Sequence, residues 1–591
     1  MKRLIALLLS MLMLTMVFVL ASCGDETPTA APTEKPTEAP TAEPTAEPTA
    51  APTDAPTAEP TAAPTEAAGP AEPTAAPTEA PTAEPTAAPT EAPTEEPTAA
   101  PTEEPTAAPT EEPTSEPTQG GEPIVVPTTD PDEWGDGWTK PKGYEDVGFG
   151  GFTVRFITTK DTADEGDTHP LRWQTDHEVA VDSRIKTDTG FATDPAVYDR
   201  NAVMKELYDV NIVVAHIGDN GDLIKNDITS GTNEYDFSVS QYGIYGGNTN
   251  GYYVNAYDLD LNFDLPGWNK TYIEEVTVKD SNGKNKLYLL DGDFNLSAYR
   301  ATWVMMCNID MWERNFEDSI FDIVNSGEWT VDELMARASK VKQDNGDSKW
   351  VVGDDTFGLL YYTYFSQGLV MSLGLQFVKN ENGVLTCTKD IITANNAADR
   401  VVKGAELYQT EGIKGDSYTT VADEMRAGRT LFISEVFDVI ERLSDTTTLN
   451  VAPIPLPLYE ASENCDYRFY VNTKASYLSV SANAFGSNKK LMADFLNMYT
   501  FHSNKIVLPA FLKAYGQLYC QDQHAIEMVQ YIINNRHYDY GNYNTTINGY
   551  GEVVAMFVDG TPGLFTTKAA KMAANGKKTI STLVETMTKS Q

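Results

Sequence analysis

The sequence predicts an α/β chain of two lobes, carried behind a long unstructured stalk. Three observations lead there. Strand-like and helix-like segments alternate from Phe152 onward. Roughly 450 residues follow Gly143, too many for one simple core and suited to two lobes. Before them, about 100 residues are drawn almost wholly from Pro, Thr, Ala and Glu, a composition with nothing large and apolar to bury.

The chain has 591 residues and a formal charge of −43, much of it concentrated in that biased segment, so the two parts are read separately. At the N-terminus, Lys2 and Arg3 precede an apolar or small-residue run from Leu4 to Leu20, then small residues up to Cys23. That is the layout of a secretory signal over residues 1–22. Leu20-Ala21-Ser22-Cys23 resembles the lipobox of bacterial lipoproteins. The resemblance implies cleavage before Cys23, a diacylglyceryl group on its thiol, and a chain held at the extracellular face of a bacterial cell membrane. Several acyl chains on one residue anchor stably where a single chain does not.

From Thr27 to about Pro127 the pattern is Pro-Thr followed by two residues of Ala or Glu, as in Pro44-Thr45-Ala46-Glu47. A proline at every fourth position removes amide donors and fixes φ, which excludes helix and sheet. The expected state is an extended, polyproline-rich coil, and residues 23–143 read as a lipidated, disordered linker. At about 3.1 Å per residue a fully extended stretch reaches on the order of 300 Å.

Beyond Gly143 aromatics enter and prolines thin out. Phe152 to Thr158 reads as a first strand, Ala196 to Tyr208 as a helix, Asn211 to His216 as a second strand, Leu223 to Thr229 as a short helix and Tyr235 to Ser240 as a third strand. This β-α-β-α-β opening predicts a parallel sheet with ligand-facing loops at the C-terminal ends of its strands. Thr330, three residues before Glu333, reads as a helix cap.

Several segments together resemble the extracellular solute-binding proteins of bacterial ABC importers, in the large carbohydrate-type family. Tyr198-Asp199-Arg200-Asn201 through Ile212 matches a first helix running into a second strand. Lys286 to Asp293, then Trp303 to Trp312, matches a crossing strand and its Asn-x-Asp-x-Trp turn. Gly327 to Leu334, Met425 to Phe432, Val451 to Pro457 and Leu491 to Tyr499 follow in the family's order. The resemblance implies a periplasmic-binding-protein-like fold of type II over 144–591, with hinge crossings between the lobes. It places the first lobe at about 152–287 and 432–501 and the second at about 308–431 and 502–591.

A sugar presents C–H faces and hydroxyl edges, so its site needs flat aromatic rings beside polar side chains. On that basis Gln241, Tyr242 and Tyr245 are candidates after the third strand; Asp293, Asn295, Tyr299 and Trp303 at the first crossing; and Glu435, Phe437 and Asp438 at the return crossing. Trp268 resembles a family Pro-Trp-Trp element that has lost one Trp. Core packing is the competing reading of each aromatic. Asp293 and Glu435 are expected to face water, because a buried carboxylate needs a partner.

The six His residues are scattered, and no H-E-x-x-H, G-x-S-x-G or phosphate-cradling glycine loop occurs. No acidic pair stands out as a glycosidase couple. No cofactor or metal is implied: in Asp344-Asn345-Gly346-Asp347-Ser348, Gly346 falls where an oxygen ligand would be needed, which favours an acidic turn over a calcium loop. Cys307, Cys387, Cys465 and Cys520 lack metal-site spacing and read mostly as packing residues, with one or two disulfide bridges as the alternative in an oxidising compartment. The acidic balance and the lack of a basic patch interleaved with aromatics exclude nucleic acid as a partner. The expected function is capture of a sugar or oligosaccharide and delivery to a permease, without covalent chemistry. A surface enzyme acting on polysaccharide and a glycan-binding adhesin are the rival readings.

Overall fold

The computed structural model describes residues 134–159, 175–182, 191–218, 222–240, 251–362, 364–444, 449–473, 475–518, 520, 524–540 and 549–589. Nine strands in chain order form its two main sheets: β1 (Phe152–Thr158), β2 (Val210–Ile217), β3 (Phe237–Ser240), β4 (Trp303–Asn308), β5 (Phe357–Tyr362), β6 (Ile413–Asp416), β7 (Thr430–Val436), β8 (Val451–Ile454) and β9 (Tyr477–Val480).

The first sheet has the order β9-β3-β1-β2. β1 pairs in parallel with both β2 and β3, and β9 closes the edge antiparallel to β3. Val154 and Phe156 point into the core, where Phe156 meets Phe237 at 5.2 Å and Phe237 meets Phe495 at 5.1 Å. Phe495 belongs to the helix Lys489–His502, which covers this face. The expected opening is therefore present, with the helix between β1 and β2 running Asp194–Tyr208 and ending on Asp209 in a left-handed cap.

The second sheet has the order β6-β5-β7-β4-β8. β6, β5 and β7 are mutually parallel; β4 runs antiparallel to β7, and β8 antiparallel to β4. The helix Val331–Val341 starts where its cap predicts: Thr330 Oγ1 accepts the amide of Glu333 at 3.2 Å. Only half of the reciprocal capping box forms, because the Glu333 carboxylate turns to Arg337 Nε at 2.6 Å.

A two-lobed α/β fold is thus observed, but two boundaries differ from expectation: residues 134–143, read as disordered linker, pack on the first lobe, where the Gly137 carbonyl meets His502 Nδ1 at 2.8 Å and Lys140 lies over the Tyr208 ring, and the return to the first lobe comes later. The first lobe was expected to resume near residue 432. Instead β7 lies at the centre of the second sheet, and the chain returns only at β9. All seven residues of β7 are buried, and a strand covered on both faces belongs inside a sheet with helices on either side.

Among the described residues, three segments connect the lobes. Residues 291–302 lead out and 471–476 lead back, side by side: Thr302 bridges Val471, and Leu290 bridges Leu478. The third is a helical run continuing from Lys489–His502 through Ser503–Val507, Leu508–Lys513 and Ala514–Leu518, in which the first and last of these three pieces widen to π geometry. Pro509 sits in that run; it lacks an amide and crowds the carbonyl four residues back, strain that such widening relieves.

Candidate functional site

In the second sheet β5, β6 and β7 all end on one side: Asp416 is level with Tyr362, and Val436 is level with Trp303, where antiparallel β4 begins. Ligands of open α/β sheets bind beyond such strand ends. Here they carry a rim of tyrosines. Tyr362 stacks on Trp303 with ring centres 6.3 Å apart, and Tyr364 and Tyr418 each stand edge-on to it at 5.3 and 5.9 Å. Tyr364 is 55% exposed and Tyr362 and Tyr418 are half-buried, whereas Trp303 lies beneath at 0%.

Donors lie under this rim. The Arg442 guanidinium sits 4.7 Å from the Tyr418 ring centre and 3.6 Å from Glu435 Oε2. It is buried, and its three nitrogens have no hydrogen-bond partner among the described residues; neither has Trp303 Nε1. Flat rings at a strand-end rim, backed by unsatisfied donors, suit a ligand with apolar faces and acceptor oxygens.

Of the residues chosen from sequence, Gln241, Tyr242 and Tyr245 lie outside the described residues. The first-crossing group is brought together, but as a network internal to the protein. Tyr299 donates its hydroxyl hydrogen to Asp293, Asn504 Nδ2 donates to the same carboxylate at 2.7 Å, and Asn295 Nδ2 donates to Asp291 at 2.8 Å. Arg536 lies 3.3 Å from Asp291 and stacks over the Tyr299 ring at 4.4 Å. Burial raises the Asp293 carboxyl above its ordinary value, against the bonds from Tyr299 and Asn504.

The expectation that Glu435 faces water is corrected, since it is fully buried, whereas Asp293 is half-buried and keeps part of its surface in solvent. Each has a protein partner, Asn504 and Arg442 respectively, that sequence proximity does not reveal. Phe437 packs against Tyr515 and Phe511, Asp438 is buried at the start of the helix Val439–Leu443, and Trp268 stands edge-on to Phe263 and Phe294 in the core of the first lobe. Among the described candidates Trp303 and Glu435 touch the rim, through Tyr362 and through Arg442. Tyr362, Tyr364, Tyr418 and Arg442 were not chosen, although Tyr361-Tyr362-Thr363-Tyr364 after an apolar strand was a visible signal.

A second buried cluster anchors the first crossing. Glu178 Oε2 accepts the Ser297 amide at 2.6 Å, and burial pushes its carboxyl up to about 7 despite Arg300 nearby. Arg300 in turn stacks on Phe191 at 3.6 Å and lies 3.5 Å from Glu441. No group of three or more His, Cys, Asp or Glu is placed to hold a metal among the described residues. In the acidic loop, Asp344 Oδ1 accepts the Gly346 and Asp347 amides, and Asp355 accepts those of Asn345 and Val351, an ordinary use of turn carboxylates. Cys307, Cys387, Cys465 and Cys520 are not disulfide-bonded.

No protein-family profile matches the chain, and none of the curated proteins matches it significantly. Among solved structures it is similar to a cyclo/maltodextrin-binding protein complexed with maltotetraose, at 12% identity and a TM-score of 0.46, over 73% of this chain and 97% of that one. It is similar also to the apo-form of RafE from Streptococcus pneumoniae, at 11% identity and a TM-score of 0.46, over 73% and 99%. A third is the galacto-N-biose-/lacto-N-biose I-binding protein of the ABC transporter from Bifidobacterium longum in complex with lacto-N-biose, at 13% and 0.44, over 73% and 98%. At these identities and TM-scores the likeness assigns this chain neither a ligand nor a residue role.

Proposed function

We propose that this protein is a lipid-anchored receptor on the extracellular face of a bacterial cell membrane, which binds a sugar or oligosaccharide between its lobes and hands it to the permease of an ABC importer. The observation that carries the proposal is the rim of Tyr362, Tyr364 and Tyr418 over Trp303 and Arg442, at the strand ends of the second sheet. Aromatic faces take the C–H side of a sugar ring, and the donors beneath take its oxygens. Such a site binds; it needs no nucleophile. In this reading Cys23 holds the receptor at the membrane and the Pro/Thr segment gives it reach outward.

The test is to incubate the purified full chain with a panel of oligosaccharides, reading melting temperature and the mass of the recovered sugar. Saturable stabilisation with the sugar intact supports the receptor, since a ligand that binds only the folded state raises its stability. A shortened sugar overturns it in favour of a surface enzyme. Absence of any shift across the panel removes carbohydrate as the ligand class.

A further inference from the structure

The first lobe carries a separate concavity. The short hairpin Val278–Lys279 with Asn285–Lys286, the stretch 251–258 and the start of the helix Lys489–His502 enclose about 790 Å³. None of its lining residues belongs to the tyrosine rim. Four lysines line it, Lys279, Lys284, Lys286 and Lys489, together with Tyr257 and Tyr288. In a chain of formal charge −43 this is a local reversal of sign.

Two of the lysines are neutralised locally. Lys286 lies 3.6 Å from Asp280, and Lys489 lies 3.8 Å from Asp258. Asp280 is further occupied by the amides of Asn282 and Lys284 at 2.8 and 3.0 Å. Among the described residues no carboxylate lies within ion-pair distance of Lys279 or Lys284, so the groove holds excess positive charge. A concave wall of one sign focuses the field on whatever enters it.

The groove is also rigid. Asn255 ties its floor to the hairpin, donating to the Asn285 carbonyl at 3.1 Å and accepting the Leu287 amide at 2.9 Å. The Lys279 amide donates to Gly383 at 2.7 Å, and Val254 to the Val480 carbonyl of β9 at 2.9 Å. Tyr257 is 38% exposed, yet its ring is fixed by a hydroxyl bond to Thr277 Oγ1 at 3.0 Å and by Phe263 at 6.0 Å. A fixed, exposed ring beside lysines takes a sugar face at little entropic cost.

We infer that this groove is a second binding site, for an acidic glycan: a chain of sugar or polyol units bearing carboxylate or phosphate groups. Lys279 and Lys284 meet the charges, and Tyr257 supplies the platform. A bilayer surface is flat and does not enter a concavity of this size, so a chain ligand fits better than lipid headgroups.

Calorimetric titration of the full chain at low ionic strength tests this, using pentagalacturonate, a glycerol-phosphate pentamer, maltopentaose, and vesicles of phosphatidylglycerol with phosphatidylcholine. The expected result is binding of an acidic pentamer that weakens with added salt and is not displaced by maltopentaose. In the K279Q/K284Q double variant that affinity falls about tenfold, with melting temperature little changed, because neither ammonium has an ion-pair partner among the described residues to lose. Whether carboxylate or phosphate is preferred is read from the two acidic arms. The inference is overturned if neither acidic pentamer binds, or if the double variant binds them as the parent does. Vesicle binding lost in the variant, with no glycan binding, overturns it in favour of a membrane contact. Because the neutral oligosaccharide panel reports on the rim, failure of the sugar-receptor reading is distinguishable from failure of this one.

Discussion

The carboxylate of Asp291 and the guanidinium of Arg536 lie 3.3 Å apart and fully enclosed, joining the first crossing to the C-terminal part of the chain. Asn269, Asn295 and Tyr538 all donate to the same carboxylate. Removing the cation leaves a buried charge held by neutral donors alone. Arg536→Met is therefore expected to cost about 3–5 kcal/mol, read as a lower urea midpoint at unchanged slope. The double variant with Asp291→Asn recovers part of that loss, because the two residues act as one unit.

His502 is buried between Gly137 and Tyr208. Its Nδ1 lies 2.8 Å from the Gly137 carbonyl and so carries the proton, leaving Nε2 to accept from the Tyr208 hydroxyl at 2.8 Å. Burial lowers its pKa from 6.5 to about 4. The unfolded chain takes up a proton near 6.5 while the folded chain resists until about 4. Stability from this group is thus present above 6.5 and lost as pH falls to 4, by on the order of 3 kcal/mol. His502→Gln flattens that slope in unfolding curves measured across the interval.

Glu178 has the opposite sign. Its carboxyl is raised from 4.5 to about 7 by burial, so the folded chain holds a proton that the unfolded chain has released. The stability tied to it is fully present below 4.5 and lost as pH rises through 7. Glu178→Gln keeps an acceptor for the Ser297 amide and removes the titration. The variant is expected to lose less stability than the parent between pH 4.5 and 7.

Gly368 packs against the back of the rim. A Cβ there would meet Trp303 Cβ at 2.9 Å and Leu456 Cδ2 at 3.0 Å. Gly368→Ala is expected to cost about 1–3 kcal/mol through overpacking and to displace Trp303 beneath Tyr362. Thermal unfolding and the near-ultraviolet tryptophan signal report the two effects separately.

Tyr364 is the most exposed member of the rim. Tyr364→Ala is expected to change folding stability by less than about 0.5 kcal/mol while weakening binding of any sugar the panel identifies by about tenfold, the equivalent of about 1.4 kcal/mol. Equal affinity in parent and variant would remove Tyr364 from the site.

How far the sequence could be read followed how local each feature is. The strand Phe152–Thr158, the helix ending at Tyr208 and the Thr330 cap rest on neighbours within a few residues, and each is found where periodicity or capping predicts. The membership of β7 was not legible in the same way. A largely apolar strand fits either sheet by composition, and its pairing with Phe357–Tyr362 and Trp303–Asn308 decides.

The candidate site divides likewise. An aromatic cluster over residues 361–364 was there to be read, and so was the need of Asp293 and Glu435 for partners. Which partners answer that need was not: Asn504 stands 211 residues from Asp293. Residue types, caps and strand periodicity are properties of the chain alone, because they depend on φ, ψ and the nearest side chains. Burial of Asn295 and Tyr299 in a hinge network with half-buried Asp293, and exposure of Tyr364 at a strand end, were decided only by tertiary structure. Desolvation and hydrogen bonding between distant segments have no local trace in the sequence.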